Sequence, residues 1–123
     1  LIKMMKTEQN EEQAGRCIYG LQRAGSLLAL LAERMGKPLA PTQSDLAVNA
    51  AEADVMFARL PASDAVKAEF SALMRSLASL SAQRDRWSEL EPEEMTACHA
   101  EVAAAVVALP QFRAIADHLL GGP

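Results

Sequence analysis

Residues 102 to 109 read VAAAVVAL, from Val102 to Leu109, between Glu101 and Pro110. The reading of this run decides the fold. Its valines suit a buried strand and its alanines suit a helix. The residues upstream settle the choice. Met95, Cys98, Val102, Ala105 and Leu109 recur at steps of three and four, the helical period. A helix that is apolar on every side must be buried on several. This one is therefore expected to sit at the centre of a bundle or to cover a subunit interface.

Working outward, Pro92 suits the first position of the same helix, and Glu93 and Glu94 suit its first turn. Pro110 is expected to end it, with a short fifth helix following on Phe112, Ile115, Ala116, Leu119 and Leu120. Upstream lies the clearest helical pattern. Ser63 or Asp64 caps it, and Val66, Phe70, Leu73, Leu77, Leu80, Arg84 and Trp87 follow one seam to an end near Leu90. A second helix is expected from a Thr42–Asp45 capping box to Leu60, stopped by Pro61. The first should run from about Glu8 to Met35. Its seam is Ala14, Ile18, Leu21, Gly25, Leu28, Ala32 and Met35, and Gly36 stands at the left-handed cap. Gly25 lies within that seam, where a missing side chain lets a neighbouring helix come close. Residues 1–12 read as a frayed or extended N-terminal segment.

No segment alternates apolar and polar residues as a half-buried strand would. The expected architecture is one all-α domain over residues 1–123, an antiparallel four-helix bundle with a short fifth helix, because short connections favour antiparallel neighbours. Composition agrees. The 123 residues include 24 alanines and only 4 % aromatics, a poor basis for a β-sandwich. Half the chain is hydrophobic, too much for disorder.

Composition also bears on function. The net charge of -4 comes without a basic stripe, so no nucleic-acid partner is expected. Lys3 and Lys6 are followed by three glutamates, and Arg84 and Arg86 bracket Asp85. Leu1 to Met5 is too short for the apolar region of a secretory signal. The uncharged run between Glu101 and Arg113 is shorter than the roughly 20 residues of a membrane span. No membrane partner and a cytoplasmic location are therefore expected. Cys17 and Cys98 read as reduced, buried and apolar rather than as a disulfide.

Chemistry-bearing patterns are sparse. His99 is followed by Ala100 and Glu101, without the lysine and glycine of a phosphotransfer helix. No Glu-x-x-His, His-x-x-x-His or Cys-x-x-Cys spacing is present, so no metal or cofactor is expected. No nucleophile elbow or phosphate-binding glycine loop occurs. No catalytic constellation is visible, and the expectation is a non-enzymatic helical protein that binds another protein or a second copy of itself. It would act as an adaptor, a chaperone-like factor or a homo-oligomer. In size and helicity alone it resembles small bacterial export chaperones, and it carries no motif of theirs.

Two stretches are the candidates for partner contact. Arg84, Arg86 and Trp87 combine the residue types favoured at binding hot spots. The competing reading has Trp87 closing the end of the core while Arg84 snorkels past it. Met4 and Met5 form an adaptable apolar pair. One alternative function is a small-molecule-binding bundle or small helical enzyme, with an anionic ligand held by convergent arginines among Arg16, Arg23, Arg34, Arg59, Arg75 and Arg84. The other is a helical transcription regulator, which would require a basic second helix where only Arg59 stands.

Overall fold

A computed structural model describes residues 2–39 and 46–121, and the side chains of all of these except 2–10 and Ser88. Those residues form four α-helices and one 3-10 segment, with no strand among them. Helix α1 is Ile2–Arg34, α2 is Leu46–Ala58, α3 is Asp64–Gln83 and α4 is Pro92–Leu119. A 3-10 turn, Arg84–Glu89, follows α3 directly.

Each boundary has a local cause. At α1, Gly36 adopts φ 102°, and the Lys37 and Gly36 amides donate back to the Ala32 and Glu33 carbonyls. This is the left-handed cap that only glycine enters freely. The Ser63 hydroxyl accepts from the Val66 amide and starts α3. Pro92 opens α4, as expected. The Thr42–Asp45 box lies outside the described residues.

Three expectations are corrected. α1 begins at Ile2 rather than near Glu8, since the lysines, methionines, glutamates and glutamines there favour helix. The seam of the third helix does not continue as α-helix to Leu90. It tightens to 3-10 winding at Arg84, a common ending for a helix. The third correction concerns the fifth helix. α4 passes through Pro110 and continues to Leu119, so no separate fifth helix forms. Pro110 removes one amide donor, and its exposed ring lies on the outer side of the helix.

The core has two parts. One is a cluster of three rings. Phe57 stacks on Phe70 at 4.2 Å, and Phe112 meets both edge-on at 5.7 and 5.1 Å. It joins α2, α3 and α4. The other is a long seam between α1 and α4. Ala14, Cys17, Leu21, Ala24, Leu28 and Leu31 face Met95, Cys98, Val102, Ala105 and Leu109, all buried. Here the helices run in the same direction. Cys17 touches Met95, Gly20 faces Val102, and Arg34 pairs with Asp117 at 2.6 Å, so both chains advance together. The antiparallel expectation does not hold for this pair. The reason is that α1 and α4 are not joined by a short connection, and only such neighbours are forced to reverse. α2 and α3 do fold back on each other across Arg59–Ser63, and Ser71 donates to Asp54 at 2.6 Å.

α1 comes close to α4 at Gly20. A Cβ there would stand 2.5 Å from Val102 Cγ1. Gly25, the position expected to serve this purpose, has only ordinary spacing to Leu46.

Candidate functional site

The inner side of α4 is the seam just described. Its outer side is Ala97, Ala100, Ala103, Ala104, Val107, Pro110, Gln111 and Ala114, all exposed. At 100° per residue these eight positions fall within an arc of about 140°, opposite the buried one. None is charged. Val107 is 63 % exposed. The face is contiguous and uncharged, and its extent is close to that of the largest apolar patch of a monomer, which is often functional.

α2 repeats the pattern on a smaller scale. Ala47, Val48, Ala51, Val55 and Ala58 are exposed and lie within about 100° of arc. The two acids of this helix are drawn to its flanks. Glu52 pairs with Lys37 at 3.4 Å, and Asp54 accepts from Ser71. The outward stripe is left uncharged.

The residues singled out in the sequence are placed as follows. Trp87 is wholly buried, and its indole N–H meets no acceptor among the described residues. It closes the core where the 3-10 turn packs on α1. Arg84 is partly exposed beside it, its Nε 4.0 Å from Asp85, and Arg86 is exposed. A partner at this corner would therefore meet the arginines and not the indole. Met4 and Met5 lie in the first turns of α1, and their side chains are outside the described set.

The six arginines considered for an anion pocket are dispersed. Arg34 borders an open cleft of about 330 Å3 with Leu30, Glu33 and Arg113, but its guanidinium is engaged by Asp117. Arg16 pairs with Glu12 at 2.8 Å on the surface of α1. Arg23, Arg59 and Arg75 are exposed on α1, after α2 and on α3. His99 is half-buried, with its Nε2 unpartnered among the described residues, and His118 is exposed near the end of α4.

Both cysteines are buried free thiols. Burial pushes the Cys17 thiol up to about 11, and the charge of Cys98 adds to this. Cys98 is raised by burial first, then by Glu101 and Glu94. Neither is therefore an activated nucleophile, which needs a lowered value.

α4 has one further property. Continuous through Pro110, its 28 residues are long and apolar enough to cross a membrane by length and composition. The expectation of no such segment rested on the uncharged run alone. Core helices of soluble proteins meet the same criterion, and α4 carries a stripe of core residues packed on α1.

The chain matches no protein-family model, and no curated protein or solved structure is significantly similar to it. What the fold and this surface define is a class: an all-helical protein with an uncharged helical face turned outward.

Proposed function

We propose that this is a non-enzymatic helical protein that works by binding protein through the outer face of α4. The four helices close into a bundle with α2 and α3 antiparallel and α1 and α4 parallel, which leaves α4 with one covered and one uncovered side. The observation that carries the reading is the charge-free arc from Ala97 to Ala114. Its alanines let another backbone approach closely, and Val107 provides one larger contact. Apolar area removed from water contributes about 25 cal/mol per Å2, so covering such a strip is favourable without any specific polar contact.

The dimensions indicate the mode of binding. Eighteen residues of helix span about 27 Å. A strip that long and about 10 Å wide offers less than the roughly 800 Å2 per partner of a stable dimer. Self-association through α4 alone is accordingly weak and reversible, and a tighter complex recruits more surface, such as the α2 stripe or the arginine corner at Arg84 and Arg86. Sedimentation velocity of the full chain from 10 to 500 µM tests this. A concentration-dependent rise in mass that Val107→Glu abolishes supports the reading. A monomer throughout, with no protein bound by the wild type that the variant loses, removes it.

A further inference from the structure

The uncharged outer face of α4 ends in groups of opposite character. Glu93, in the first turn of the helix, stands one turn before Ala97, and His118, in the last, stands one turn after Ala114. Both are exposed, and neither side chain pairs with a charged group among the described residues. At 100° per residue Glu93 and His118 fall inside the arc of the uncharged positions, about 20° apart. The other exposed charges of α4, Glu94, Glu101 and Arg113, fall outside that arc.

The strip is also symmetric about its middle. Glu93 and His118 lie equally far from the point between Ala105 and Val106, and so do Ala97 and Ala114. A second α4 laid antiparallel about a two-fold axis at this level sets Glu93 of each copy opposite His118 of the other. Ala97 then meets Ala114, and Val107 meets Ala104, so the larger side chain rests on a small one. Parallel pairing would instead set Glu93 on Glu93, Val107 on Val107 and His118 on His118. A two-fold interface requires a patch that is complementary to itself, and this one is so in the antiparallel sense alone.

We infer that a second copy of this chain covers the outer face of α4, antiparallel to the first, with Glu93 and His118 paired across the contact at both ends. The inference rests on the reading of that face as protein-binding and names the partner and the orientation. An imidazole N–H donates to a carboxylate whether or not the ring is charged. Exposed pairs of this kind add little affinity. They fix direction and register, while the apolar strip between them drives association. The dimer is weak and reversible, as the small area of one helix face requires.

The test has two parts. The first is sedimentation velocity of the purified full chain and its variants from 10 to 500 µM. Glu93→Lys and His118→Glu each weaken self-association by about threefold to tenfold, because the two-fold axis repeats each altered contact. The Glu93→Lys/His118→Glu double variant returns to the wild-type value, since each lysine again faces a glutamate. In a parallel dimer the double variant would be the weakest of the four. Circular dichroism of each variant establishes that the helices are intact. The second part places a benzophenone amino acid at position 97 of the purified chain and maps its adduct by mass spectrometry. Attachment to residues 111–118 is expected, and these come from another copy, since on its own helix position 114 lies about 25 Å away. Single variants equal to wild type, a double variant weaker than either, or an adduct on residues 93–101 overturns the inference. A purified chain that stays monomeric while position 107 captures a different protein in cells also overturns it, and leaves the protein-binding reading standing. Association of neither kind removes both.

Discussion

The outer faces of α3 and α4 differ in charge. α3 turns Phe70, Met74, Leu77 and Leu80 inward and presents Glu69, Arg75 and Gln83 to water. α4 turns Met95, Val102, Leu109 and Phe112 inward and presents alanines and Val107 directly outward, with its exposed Glu101 and Arg113 outside that arc. Both inner faces are accounted for by the core. Only α3 has an outer face suited to solvent alone. The difference shows that burial inside this chain explains one side of α4 and leaves the other without a structural role. A single amphipathic stripe suffices to hold a helix in place. The second apolar side of α4 is therefore where function is sought.

If the inner faces are equivalent, truncating either should be costly. Phe70→Ala on α3 and Phe112→Ala on α4 each remove one ring from the three-ring cluster, and each should lower stability by about 3–5 kcal/mol in urea unfolding. A much smaller loss for Phe112 would mean that α4 is loosely docked, and the contrast between its two sides would fail.

The fit of α4 against α1 gives the next test. Gly20→Ala should destabilise by about 1–3 kcal/mol through overpacking against Val102, although alanine is the better helix former. In a Val102→Ala background the same change should become stabilising. A double-mutant cycle measures the coupling.

The dryness of that interface is tested by pH. The Cys17 thiol titrates near 9 when unfolded and at about 11 when folded. Above pH 9 the unfolded chain releases its proton first, so the native state binds more protons and stability falls as pH rises. The slope reaches about 1.4 kcal/mol per pH unit for one group between pH 9 and 11. Its full stabilising effect is present below pH 9. Cys17→Ala should reduce this slope and leave the part that the raised Cys98 thiol contributes, read from urea midpoints across that range.

The smallest stability effect is expected where the functional effect is largest. Val107→Glu on the outer face of α4 should change monomer stability by less than about 0.5 kcal/mol, as should Arg75→Glu on α3. Thermal melting at low concentration checks both. A large loss for Val107→Glu would place that side chain in the core.

How legible this was in the sequence depends on the element. The three- and four-residue steps marked α3 as far as Gln83 and the buried side of α4, because a helical seam is a local periodicity. Ser63, Gly36 and Pro92 marked their boundaries for the same reason: a cap acts on its own first or last turn. Pro110 misled, because proline at an exposed position on a long helix loses one hydrogen bond and need not end it. The parallel pairing of α1 with α4 was out of reach, since it depends on contacts about eighty residues apart. So was Gly20, whose close neighbour Val102 lies on another helix, whereas Gly25 stood in the visible seam. The uncovered face of α4 was half legible. The sequence showed a helix apolar all round, and only the structure could show which side lacked cover. The contact of Cys17 with Met95 was out of reach for the same reason as Gly20, since the two lie on different helices far apart in the chain.

The central claim is that the outer face of α4 meets protein and the outer face of α3 does not. Site-specific photo-crosslinking tests it most directly, with a benzophenone amino acid placed at position 107 in one sample and at position 75 in another. The full chain is irradiated in the cells that express it, and the products are resolved by mass. The account predicts a discrete protein adduct from position 107, either a second copy or one partner, and none from position 75. No adduct from position 107, or equal adducts from both, would contradict it.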